Sequence, residues 1–271
     1  MRPPWTRPAL RRIGAPEQIG VKSSVNSVRA AGGRRSGRTS WLSPRNHRAK
    51  AHIYGDTVTD RDELVRTAPR RALVLVDVQN EYTHLPLRIR YPSLSDCLKR
   101  IERALDAAEN AGLPVVCVQH AGPPGGAIFT PGGKGFELCP CVERRRTSQW
   151  KCVVKRRGSI YAGTDLAAWL HEQDVDTVTL AGFMANNCVL ASAAWGETIG
   201  LKTEVLSDAV GAINLRNCAG EADARTVHAT LMALLHSNWA AVAATDDWCR
   251  ALGRGGPLPR SNLVASAMAP F

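Results

Sequence analysis

The sequence predicts a three-layer α/β/α fold on a mostly parallel, roughly six-stranded sheet. Three observations predict it. Residues 72–78 (ALVLVDV) form a nearly unbroken apolar run, as in a strand covered on both faces. Residues 93–111 (SLSDCLKRIERALDAAENA) space Leu94, Leu98, Ile101, Leu105 and Ala108 three and four residues apart, which is one face of a helix. The alternation of strand and helix then continues to about residue 244, and strands joined by helices of this length make right-handed βαβ crossovers.

The elements follow in order. Gly112 and Pro114 stop the first helix, and residues 115–119 (VVCVQ) form the second strand. The Gly- and Pro-rich residues 122–135 read as a long surface loop, a kind of segment that tends to carry function. Lys151–Lys155 (KCVVK) is the third strand. Thr164 caps a helix to about Glu172, with Leu166, Trp169 and Leu170 facing inward. Residues 177–182 form a strand, 187–199 a helix, 203–209 a strand, 220–235 a helix and 240–244 a last short strand. One domain over residues 65–253 is expected, followed by a flexible tail over 254–271.

Composition and charge narrow the class. Of 271 residues, 44% are hydrophobic and 22% charged, which excludes collagen-like and wholly disordered chains. No apolar run approaches the ~20 residues of a membrane helix, so no membrane association is expected. The formal charge of +11 is concentrated at one end: residues 1–50 hold 12 of the 35 Lys and Arg and one acid, Glu17. The rest of the chain balances 23 bases against 23 acids. Residues 1–64 are therefore expected to be a basic, disordered extension: an over-extended start, a transit-like presequence or a real basic arm. An arm could bind nucleic acid through phosphate contacts, but it lacks the aromatic interleaving of a nucleic-acid platform.

The eight cysteines (Cys97, Cys117, Cys139, Cys141, Cys152, Cys188, Cys218 and Cys249) are too sparse for a disulfide scaffold, and a reducing cytoplasmic setting is expected. Cys139-Pro140-Cys141 with Cys152 lacks the paired spacing of a zinc site. Glu143–Arg146 (ERRR) reads as a solvated face. Neither a glycine-rich phosphate loop nor a G-x-S-x-G elbow is present.

Ligands of parallel α/β sheets bind beyond the carboxyl ends of the strands. Three residues meet that condition with suitable chemistry: Asp77 ends the first strand, Lys155 ends the third, and Cys188 lies in the first turn of the helix after the fourth. Burying a carboxylate behind four aliphatic residues is costly without a partner. A helix start and a nearby Lys favour the thiolate of Cys188, whereas Asp77 and burial oppose it, so Asp77 and Cys188 are expected to titrate as a pair. Gln79, Tyr82, His120 and Tyr161 lie close in sequence to strand ends and are candidates for substrate contact or for plain packing.

Residues 72–82 (ALVLVDVQNEY), 153–170 (VVKRRGSIYAGTDLAAWL) and 177–193 (TVTLAGFMANNCVLASA), in this order, resemble the isochorismatase-like cysteine hydrolases. That family includes nicotinamidases, N-carbamoylsarcosine amidases, biuret and ureidoacrylate hydrolases, and isochorismatase. The resemblance implies that Asp77, Lys155 and Cys188 are the catalytic acid, lysine and nucleophile. It also implies a non-proline cis peptide at Phe183–Met184, with the backbone N–H groups of Met184 and Cys188 as the oxyanion hole. It implies a homo-oligomer, a dimer or tetramer. The family commonly has Thr where Ala185 stands and Asp where Trp195 stands. Nicotinamidases of the family hold a metal with an Asp-x-His and a further His, whereas VQHAGPPGGAIF has one His and no acid. No metal and no cofactor is therefore expected.

The implied function is hydrolysis of a small amide, carbamoyl or ureido C–N bond through a thioester, with vinyl ether hydrolysis of the isochorismatase type as the alternative. With Asp77 as the base that takes the thiol proton, Asp77→Asn is expected to slow alkylation of Cys188.

Overall fold

A computed structural model describes residues 68–270, so the basic extension assigned to residues 1–64 lies outside the described residues. The strands are β1 (Arg71–Val76), β2 (Val115–His120), β3 (Lys151–Lys155), β4 (Thr177–Phe183), β5 (Lys202–Gly211), β6 (Leu215–Asn217), β7 (Gly220–Ala222) and β8 (Ala240–Ala243). The helices are α1 (Leu94–Asn110), α2 (Pro140–Glu143), α3 (Leu166–Glu172), α4 (Leu190–Thr198), α5 (Ala224–Ser237), α6 (Thr245–Gly253) and α7 (Leu263–Met268). A π-helical turn, Ala185–Val189, precedes α4. Among the described residues no helix is long and apolar enough to cross a membrane.

Six strands form one parallel sheet in the order β3-β2-β1-β4-β5-β8. Every residue of β1 is buried, which is why its sequence shows no alternation. Leu73 and Leu75 join the core under α1 and α6, with Ile101, Leu105 and Trp248. Ala72, Val74 and Val76 join the opposite core under α3, α4 and α5, with Leu166, Ala193 and Leu235. Helices thus cover both faces, giving three layers.

Successive strands are added to one side of β1 up to β3 and to its other side from β4 onward, so the switch between β1 and β4 makes the crevice where parallel sheets place their ligands. Two buried ion pairs mark the two ends of the sheet. At the start of β1, Arg71 donates to both oxygens of Glu204 at 2.8–3.1 Å, while Thr179 and the Trp248 indole also donate to Glu204. That pair is fully hydrogen-bonded, as a structural buried charge needs to be. The other pair, beyond the end of β1, belongs to the site described below.

Three helices, α2, α6 and α7, lie outside the sequence expectation, and α7 falls within residues 254–271, where the sequence suggests a flexible tail. Two expected elements also take a different form. Residues 220–222 are a strand of the β6–β7 hairpin and not the start of a helix. Gly220 takes a φ of +150, and the Asp223 side chain then accepts from Thr226 N at 2.7 Å, so α5 begins at Ala224. The helix expected over 187–199 is split into the π-helical turn and α4, and the turn sets the direction in which Cys188 points.

Gly182 decides how closely β4 can approach β1. Its φ is +121, and a Cβ there would lie 2.2 Å from the Val76 carbonyl oxygen, one residue before Asp77. Only glycine meets both demands. Gly182→Ala is expected to cost at least about 2 kcal/mol, seen as a lower urea midpoint at unchanged slope. An unaltered midpoint would show that the strands part without cost.

Candidate active site

Strand register assembles the site. Val76 pairs with Val118 on one side and Gly182 on the other, and His120 pairs with Lys155, so four strands end at a common level. Asp77 leaves β1 with a φ of +49, a left-handed conformation that is uncommon for a residue other than glycine. Its backbone N–H donates to Val118 O at 3.0 Å, which holds it in place. Cys188 arrives from β4 through the π-helical turn, and the Phe183–Met184 peptide bond before that turn is cis.

The side chains meet at one ammonium. Lys155 is buried, and its Nζ lies 2.7 Å from Asp77 Oδ2. It donates to Cys188 Sγ at 3.2 Å and to Arg157 O at 3.1 Å. His120 Nδ1 is 3.2 Å away, and because an ammonium can only donate, that nitrogen is the acceptor. These three contacts and the closer carboxylate surround the ammonium. Asp77 is its nearest neighbour, and Lys155 and Cys188 both act on the Asp77 carboxylate as hydrogen-bond donors.

Asp77 therefore differs from Glu204, whose lone pairs are taken by Arg71, Thr179 and Trp248. Asp77 has its charge balanced by Lys155 and faces the Cys188 thiol, as a base must. Burial raises its pKa above the ordinary carboxylate value, with Lys155 opposing. Burial also pushes the Cys188 thiol up; the Asp77 charge adds to that rise and Lys155 opposes it. The resting nucleophile is thus held as a thiol, and the Lys155 ammonium, 2.7 Å from Asp77, is what favours a carboxylate beside it. Burial, then Lys155 and Arg156, lower the pKa of His120 to about 4, so its ring is neutral at neutral pH.

The four remaining candidates fall in different places. His120 touches the cluster through Lys155. Tyr82 is buried near it, its ring 5.5 Å from Phe183 and 5.3 Å from Phe129, and burial, then the charges of Asp77 and Cys188, raise its phenol pKa. Gln79 is fully used by backbone: it accepts from His120 N at 2.8 Å and donates to His120 O and Phe136 O. It fixes the end of β2 and the loop beside it. Tyr161 lies in the core under α3 and α4, and its hydroxyl is 3.8 Å from where a Cβ on Gly196 would sit. Of the two expected oxyanion donors, the Met184 N–H donates to no acceptor among the described residues.

Two residues were not singled out by sequence. The Glu81 carboxylate accepts from Phe129 N at 3.0 Å, and Phe129, at φ +51, stands edge-on to the His120 ring with centroids 5.2 Å apart. Together they hold the 122–135 loop over the cluster. Glu81 stands within the quoted QNEY, yet no spacing ties it to a loop some fifty residues on. All eight cysteines are free, with Cys139 buried, Cys141 half-buried and Cys152 exposed.

Residues 71–245 match the Isochorismatase domain model. The chain belongs to the isochorismatase family of hydrolases. It is similar to a crystal structure of an isochorismatase-type protein from Burkholderia xenovorans LB400, at 43% identity and a TM-score of 0.72, covering 74% of this chain and 96% of that one. It is 42% identical over 154 residues to the maleamate amidohydrolase of Pseudomonas putida KT2440, covering 52% of this chain and 71% of the relative. It also resembles the N-carbamoylsarcosine amidase structure from Thermoplasma acidophilum, at 25% identity and a TM-score of 0.53, covering 65% and 97% of the two chains.

The charges at the site bear on the expectation that Asp77→Asn slows alkylation of Cys188. Asp77 acts on the resting thiol as an opposing charge, while Lys155 would remain to favour the thiolate if that charge were removed. Asp77→Asn is therefore expected to speed iodoacetamide alkylation of Cys188 at neutral pH, by severalfold to roughly tenfold. Slower alkylation in a variant that keeps its circular dichroism would overturn this electrostatic reading.

Proposed function

We propose that the protein is a cysteine amidohydrolase that cleaves a small, non-peptide amide, carbamoyl or ureido C–N bond through a thioester. The observation that carries this reading is the Lys155 ammonium, 2.7 Å from Asp77 and donating to Cys188. The amide chemistry of the two named relatives, a maleamate amidohydrolase and an N-carbamoylsarcosine amidase, supports the choice of bond.

In this reading Asp77 takes the thiol proton as the sulfur attacks the carbonyl carbon. Lys155 balances the charge that moves between them, and neutral His120 holds the ammonium without taking its proton. The developing oxyanion receives the N–H groups of Met184 and Cys188. Collapse breaks the C–N bond, and the proton on Asp77 leaves with the amine. A water then attacks the thioester, giving its proton to Asp77, and the thiol is restored as the acid product departs. Tyr82 and Phe129 supply aromatic walls beside the reacting atoms.

The test is a panel of small amides, carbamoyl compounds, ureas and isochorismate, with release of ammonia or amine followed. Turnover of an amide or urea is expected, with an acyl adduct on Cys188 seen by mass spectrometry. Cys188→Ala should lower the rate by roughly 1000-fold or more. Because burial raises the Asp77 pKa, the acid limb of kcat/KM is expected above ~3.9, the value of a free aspartate. Turnover of isochorismate alone, or full activity in Cys188→Ala, would overturn the proposal.

A further inference from the structure

Asp77, His120 and Cys188 each direct one ligating atom at a common space, and those atoms lie within 4.8 Å of one another. A carboxylate oxygen, an imidazole nitrogen and a sulfur make a mixed donor set suited to zinc-class ions, leaving a fourth position open. The Lys155 Nζ fills that space, 2.7 Å from Asp77 Oδ2 and 3.2 Å from both His120 Nδ1 and Cys188 Sγ.

An ammonium and a divalent ion are alternative answers to the same local charge. At rest, Lys155 and the thiol proton together supply two positive charges around one carboxylate and one sulfur. A divalent ion replacing both would leave the net charge of the cluster unchanged. The metal–sulfur bond would form as the thiol proton passed to solvent. Gln79 holds the backbone of His120 on both sides and Phe129 packs against its ring, so the imidazole is fixed in place.

We propose that Asp77, His120 and Cys188 form a latent thiophilic-metal site, and that Lys155 is the resident cation that keeps zinc-class ions out of it. Exclusion is firm in the native protein. The lysine is buried and also anchored to Arg157 O at 3.1 Å, so withdrawing its ammonium would strand a charge inside the protein. Truncating the side chain empties the space and removes the competing charge in one step.

The experiment titrates wild type, Lys155→Ala and Lys155→Ser with Co²⁺ under anaerobic conditions and records thiolate-to-cobalt charge-transfer absorption. Both variants are expected to take up one equivalent with that band, and wild type to show none at the same concentrations. Adding Cys188→Ser to Lys155→Ala should remove the band, which excludes the other seven cysteines as its source. Adding His120→Ala should weaken binding by at least roughly 10–100-fold, the loss that even outer-shell partners of a metal ligand cause. A variant that unfolds alone should refold with Co²⁺ and show the same band. Wild type binding Co²⁺ as tightly as Lys155→Ala would overturn the proposal. So would Lys155 variants that show no cysteine-to-cobalt band. The readout is binding, so it stands or falls apart from the amide hydrolysis proposed above.

Discussion

A lysine ammonium closed off from water has to be neutralised where it lies, and at the end of this sheet that demand falls on Asp77, 2.7 Å away. Burying either charge alone would cost several kcal/mol, so neither residue can be placed without the other. The demand reaches into the backbone. Asp77 is turned back toward β3 at a positive φ, Gly182 lets β4 run against Val76 without a side chain between them, and Gln79 pins the end of β2 beside the ammonium.

The Arg71–Glu204 pair at the far end of the sheet shows what the same demand produces without chemistry to perform. There every oxygen lone pair facing the protein finds a donor, and the arrangement ties β1 to β5 and α6. At Asp77 the one cation is shared with sulfur, imidazole and a carbonyl. A buried carboxylate with one shared cation and a thiol for neighbours is less fully bonded than Glu204 and well placed as a base. That difference, more than burial or charge, separates a site from a strut in this fold.

Much of this was legible in the sequence, for physical reasons. Strands buried on both faces leave apolar runs, and the runs at β1 and β4 are hard to read otherwise. The strand-end rule then selected Asp77, Lys155 and Cys188 from their neighbours. What sequence hid was contact made by backbone and by distant loops: Arg157 contributes only its carbonyl, and Glu81 meets Phe129 across the 122–135 loop. Electrostatic sign was hidden for the same reason. A helix start and a nearby lysine suggest a thiolate, but burial and the Asp77 charge prevail, and neither can be weighed until the side chains are placed. The β6–β7 hairpin was missed because Gly220 and Asp223 mark a turn and a cap, whereas the residues around them carry no alternation to distinguish strand from helix.

In the proposed mechanism the proton at rest belongs to sulfur and the charge to Asp77, held there by the Lys155 ammonium. Infrared difference spectra at neutral pH, wild type minus Cys188→Ser and wild type minus Asp77→Asn, read both groups directly. An S–H stretch in the first difference and an ionised carboxylate stretch in the second are the expected result. Absence of the S–H band, together with a protonated carboxyl signal from Asp77, would place the proton on the acid and contradict the account.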